Sequence, residues 1–103
     1  MEGQALISPD VLARYAGDAA REVAGVAELA ESQLHRGKGV EISGSDTTTT
    51  ITIHVELEWG SSAKDVSGEV QRRVAEYLER MAGLKVASVD VVVEGVRAPP
   101  AKQ

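Results

Sequence analysis

Cysteine is absent from this chain. That excludes disulfides, thiolate nucleophiles and every cysteine-based metal or cluster site, and it is compatible with a reducing compartment. Phenylalanine is absent too, and Tyr15, Tyr77 and Trp59 are the only aromatic residues. A core must therefore be built from valine, leucine, isoleucine and alanine, tightly packed rather than bulky. No apolar run approaches the roughly 20 residues needed to cross a bilayer, and residues 1–7 lack the basic and apolar regions of a secretory signal. These two features predict a cytoplasmic protein with no direct membrane insertion. Positive charge is also in short supply. A formal net charge of -5 opposes nonspecific attraction to nucleic acid or anionic lipid, which both favour clustered lysine and arginine.

What is present is ordinary for a globular protein. The chain has 103 residues, 43% of them hydrophobic and 26% charged, which suits one domain over 1–103 with one modest core. The expected folded part is about 6–97, followed by a flexible tail at 98–103 that carries Pro99 and Pro100.

Ser8, Pro9 and Asp10 read as an N-cap, a proline in the first helical turn and an acid at the positive helix end. From there Val11, Leu12, Tyr15, Ala16, Ala19, Ala20 and Val23 recur at helical spacing, with Gly25 placed to end the helix. Residues 26–30 read as a short strand, 32–39 as a polar loop, and Val40, Glu41 and Ile42 as the start of another strand before a turn at Ser43, Gly44, Ser45 and Asp46. The clearest signal follows. Ile51, Ile53, Val55, Leu57 and Trp59 alternate with Thr50, Thr52, His54, Glu56 and Glu58, the pattern of a half-buried strand.

Ser62 and Asp65 then form a weak capping box. In the helix they open, Val66, Val70, Val74, Tyr77, Leu78 and Met81 line one side, while the outer side pairs Glu69 with Arg73 and Glu76 with Arg80. Gly83 is a left-handed stop with Leu84 folding back on the last turn. A final strand over 85–96 puts Val89, Val91 and Val93 on one face and Ser88, Asp90, Val92 and Glu94 on the other. A strand, helix, strand unit of this length favours a parallel pair. The predicted fold class is α+β: a two-layer sandwich of order α-β-β-β-α-β with two helices on one face of a mixed sheet of about four strands.

No catalytic constellation emerges. His35 and His54 belong to no nucleophilic or metal-binding motif. His54, Glu56 and Glu58 share a strand face, with Asp90 or Glu94 on a neighbouring strand, which geometrically allows a loose divalent-ion site. A solvated polar sheet face explains the same alternation with no further assumption, so no metal and no cofactor are expected. Gly60, Ser61 and Ser62 match neither a phosphate loop nor a dinucleotide fingerprint. Gly37, Lys38 and Gly39 resemble the clamp of some RNA-binding modules, but no helix is placed to complete it. The Tyr77 and Met81 stripe continues the valine register and reads as core. Arg72, Arg73 and Arg80 offer an anion-facing group, largely neutralised by Glu69, Glu76 and Glu79.

The run ISPDVLARYAGDAAREVAG over 7–25, then TITIHVELEWG, EVQRRVAEYLERMAGL and VASVDVVVEGV, resembles the alkaline shock protein family of bacterial envelope stress response proteins across nearly the whole chain. Trp59 stands where a tyrosine is more usual before the glycine, and the expectation is of a domain without the long polar tails that some relatives carry. The resemblance implies a non-enzymatic domain linked to cell-envelope homeostasis, cytoplasmic or held at the inner membrane face by a small membrane-protein partner. The resulting expectation is an interaction or scaffold protein and possible homo-oligomer, with His54, Glu56, Glu58, Asp90, Val92 and Glu94 as its contact surface and Arg72, Arg73 and Arg80 as a second candidate. The alternative is a small RNA-binding module.

Overall fold

Ser8 starts the first helix as its residue types dictate: its hydroxyl accepts from the backbone N–H of Val11, with proline in the first turn and Asp10 at the positive end. The computed structural model describes residues 8–30, 39–45 and 48–98. Their order is α1 (Pro9–Arg21), β1 (Val26–Leu29), β2 (Val40–Ser45), β3 (Thr48–Glu58), α2 (Ala63–Ala82) and β4 (Val86–Arg97). The expected polar loop with His35, Gly37 and Lys38, and the tail from Pro99 onward, lie outside the described residues.

Two helices lie against a four-stranded sheet, an α+β fold. β3 is its central strand. β4 runs parallel to β3 along one side, from Thr49 opposite Val86 to Glu58 opposite Arg97. The other side of β3 is shared end to end by two short antiparallel strands, β2 against residues 48–53 and β1 against residues 55–57. The parallel pair follows from the 20-residue α2, long enough to carry the chain back to the start of a neighbouring strand.

The core is aliphatic. Ile51, Ile53, Val55 and Leu57 from β3 meet Leu12, Ala16, Ala20 and Val23 on the α1 side and Val66, Val70, Val74 and Leu78 of α2. Tyr15 and Tyr77 join the helices edge to face, with ring centroids 5.9 Å apart and planes at 87°. The Gln71 side chain ties α2 to β4 by donating to the Val89 carbonyl at 3.0 Å. Both caps of α2 have the expected chemistry: Ser62 accepts from the Asp65 N–H, and Gly83 ends the helix at φ 65°.

Several boundaries and faces differ from the sequence expectation. α1 stops at Arg21 rather than running to Gly25, because the N–H groups of Glu22 and Val23 bond three residues back and tighten the last turn. Gly25, at φ 99°, then turns the chain into β1. Ser43, Gly44 and Ser45 extend β2 instead of forming the turn, since they pair with Thr50, Thr49 and Thr48. Trp59 is not a core residue. The strand ends at Glu58, Gly60 turns the chain at φ 92°, and the indole is left 69% exposed. Met81 is 50% exposed, although Ala82 next to it packs against the core, and Val11 lies outside the core too.

Candidate protein-contact face of the sheet

From Thr50 to Glu56 the residues of β3 that alternate with its core positions point to the sheet face away from the helices. Thr50, Thr52, His54 and Glu56 form the central lane of that face. Across it, β2 contributes Glu41 beside Thr52 and Ser43 beside Thr50, β1 contributes Glu28 beside Glu56, and β4 contributes Ser88, Asp90 and Val92 beside Thr50, Thr52 and His54. The Ser88 hydroxyl donates to the Thr50 hydroxyl at 3.3 Å.

Two polar clusters sit on this face. In the first, Glu94 Oε2 is 2.7 Å from His54 Nδ1, and Glu41 Oε2 lies 3.4 Å from His54 Nε2. The imidazole is thus held between carboxylates from the strands on either side. His54 was expected on a face open to water or a partner, yet it is only 8% exposed. The flanking side chains cover it, and the backbone around it is occupied at the joint between β1 and β2. There the His54 N–H donates to the Gly39 carbonyl at 2.7 Å and its carbonyl accepts from Ala30 at 2.8 Å. Gly39 is needed at that joint: its φ is 84°, and a Cβ would lie 2.6 Å from the Ala30 oxygen.

The second cluster depends on a bulge. Val55 pairs with Val93 but Glu56 pairs with Gly95, so Glu94 is an extra residue in β4. Beyond it the alternation inverts. Val96 falls opposite Leu57 on the helix side, and Arg97 reaches the outer face. Its guanidinium donates to Glu56 Oε1 at 2.7 and 3.1 Å and sits 3.1 Å from Glu28 Oε1. The hydrogen bond that Arg97 donates to Glu56, then the charges of Glu56 and Glu28, raise the Arg97 pKa above its usual high value.

Of the six residues expected on the contact surface, the structure gathers His54 and Glu94 into one cluster and places Glu56 in the other. Asp90 and Val92 lie exposed on β4, and Glu58 lies exposed at the end of β3. Among the described residues no group of three His, Asp or Glu side chains is arranged to hold a metal ion. Glu28, Glu41 and Arg97 were missed. Glu28 and Glu41 are the single acids of their short strands, and Gly95 beside an acid was the only hint of the bulge that moves Arg97.

The second candidate group lies on the outer side of α2. Arg72 is bound by Glu69 and, at 3.2 Å, by Glu76, which was expected to pair with Arg80 instead. Arg73 reaches Glu69 at 3.3 Å, and Glu22 of the segment after α1 lies 4.0 Å away. The hydrogen bond from Arg72 holds the Glu69 carboxyl below the usual carboxylate range, with the charge of Arg72 and the bond from Arg73 adding to it. Arg80 is exposed at an open depression shared with Glu76 and Glu79. Two of the three arginines are therefore neutralised by neighbouring acids.

Comparison with known proteins places the chain in context. The model of the alkaline shock protein 23 family, described as having a cell envelope-related function, matches residues 1–98. The uncharacterized protein YqhY of Bacillus subtilis (strain 168) is 29% identical over 92% of this chain and 78% of its own length. The uncharacterized protein Spy1535 of Streptococcus pyogenes serotype M6 is 32% identical over 93% of this chain and 81% of its own length. Among solved structures, a MamM CTD variant superposes with a TM-score of 0.54 at 11% identity, covering 88% of this chain and 98% of that one, a likeness of fold alone.

Proposed function

The chain belongs to the alkaline shock protein 23 family, whose function is cell envelope-related, and on that footing we propose that it serves envelope homeostasis as a non-enzymatic protein-binding domain. The sheet face away from the helices is its contact surface. The observation that carries this reading is that both helices pack on one side of the sheet, leaving an outer face whose side chains are already fixed by cross-strand bonds: His54 to Glu94, Arg97 to Glu56 and Glu28, and Ser88 to Thr50. A face ordered in advance loses little side-chain entropy when a partner docks.

No helix among the described residues is long and apolar enough to cross a membrane. Recruitment to the inner membrane face therefore runs through a protein partner in this reading, and self-association uses the same face. The test is capture from solubilised membranes of a bacterium that carries the protein. Thr52→Arg with Glu56→Arg changes the centre of the outer face without touching the core. We expect capture of an envelope protein by the native chain to be lost in that variant, with a sharp thermal transition retained at a melting temperature lowered by loss of the Glu56 to Arg97 ion pair, worth up to about 1 kcal/mol at a surface. Capture that is equal for both proteins would overturn the assignment of this face.

A further inference from the structure

β4 pairs with β3 on one side, and among the described residues its other side is an open sheet edge. Its 12 residues make a ladder about 40 Å long at roughly 3.3 Å per residue. Exposed edges are usually blunted by lysine, proline, shortness or a β-bulge, and the bulge of β4 at Glu94 lies toward its C-terminal end, leaving the stretch before it regular from Ser88 to Val93. Between Val86 and Val96 there is neither lysine nor proline, and both charges there, Asp90 and Glu94, are acidic.

The two sides of this edge differ in chemistry. Toward the helices Val91 is half-buried, while Val93 and Val96 are left 38% and 54% exposed. On the outer side Asp90 and Glu94 are exposed around Val92. We propose that this edge receives an extended segment of another protein in which apolar residues alternate with lysine or arginine, added as a further strand beside β4. Main-chain bonds to the edge supply affinity, and the alternating side chains supply specificity. The apolar set covers Val91, Val93 and Val96, and the basic set meets Asp90 and Glu94 on a chain whose net charge is -5. A second copy of this chain is a worse occupant. Antiparallel pairing of β4 with itself about its three central valines sets Asp90 opposite Glu94 in both halves, a repulsive cross-strand pair.

The proposal rests on the protein-binding reading above, and its test separates the two. The whole chain is mixed with a synthetic peptide alternating valine with lysine, or with its valine and glutamate counterpart. Binding is read by the fluorescence of Trp59, the single tryptophan, whose backbone N–H donates to the Arg97 carbonyl at the end of β4. Amide hydrogen exchange locates the site. We expect the lysine peptide to protect residues of β4, the glutamate peptide to bind at least about tenfold more weakly, and Asp90→Lys with Val93→Lys to weaken the lysine peptide by at least about tenfold. Should that double variant melt lower than the native chain, Asp90→Asn alone reads the same charge dependence. Equal binding of the two peptides, protection elsewhere in the chain, or a doubled mass with β4 already protected in the absence of peptide would overturn the proposal. Loss of peptide binding with capture through Thr52 and Glu56 intact refutes the strand addition alone.

Discussion

Replacing Val55 tests the core arrangement at its most demanding point. Val55 is 0% exposed, faces the helices from the middle of β3, and pairs with Leu29 on one side and Val93 on the other. Val55→Asp forfeits about 2 kcal/mol of apolar burial and places a carboxyl where no partner stands, at a further several kcal/mol. The sum exceeds about 5 kcal/mol, the lower end of what a domain of this size has in total. The expected outcome is loss of cooperative folding. Val55→Ala keeps the charge constant and removes two methyl groups, costing about 2 kcal/mol and lowering the melting temperature by about 8–16 °C. Val92→Asp supplies the contrast, since Val92 sits on the outer face and is 38% exposed, so its transition stays sharp with a shift of a few degrees at most. Thermal melts followed by circular dichroism decide the matter. A sharp transition retained in Val55→Asp, or a larger loss in Val92→Asp than in Val55→Ala, would refute the assignment of faces.

Other expectations follow from single contacts. Gly25→Ala should destabilise by about 2 kcal/mol or more, because the residue has φ 99° and the new Cβ would lie 2.5 Å from Val66 Cγ2. Denaturant titration checks this, and an unchanged midpoint would contradict the backbone assignment. His54→Ala removes the bond to Glu94 and a buried ring, and is expected to cost about 1–3 kcal/mol with the fold retained. Glu69, whose pKa is lowered by Arg72, stabilises the native state above the ordinary carboxylate pKa and ceases to do so as pH falls through its own lower value. Native and Glu69→Gln proteins should accordingly differ in melting temperature at neutral pH and converge in strong acid, and a difference that grows on acidification would be the wrong sign.

The parts of the fold legible from residues alone are those governed by local periodicity or capping. The alternation from Thr50 to Leu57, the Ser8 and Ser62 caps and the Gly83 stop each act over a few neighbours, and each takes its expected form. Trp59 shows where alternation misleads: it continues the apolar register for one residue beyond the end of the strand. The bulge at Glu94 was hidden because an extra residue in β4 is defined only by its pairing with β3, and three consecutive valines carry no parity of their own. The burial of His54 was hidden for a related reason. It depends on β1 and β2 meeting end to end along β3, which brings Gly39 and Ala30 to its backbone and Glu41 to its ring. Arg97, at the limit of the expected strand, joins the outer face only through the bulge, so its partners Glu28 and Glu56 had no visible link to it.

The contact face itself is tested most directly by photo-crosslinking in living cells. A photoreactive residue at Thr52, central on the outer face, is compared with one at Glu79, exposed on α2 in the helix layer. The predicted result is an adduct with an envelope protein, recovered in the membrane fraction, from Thr52 and none from Glu79. Adducts from Glu79 alone would place the contact on the helix side and contradict the account.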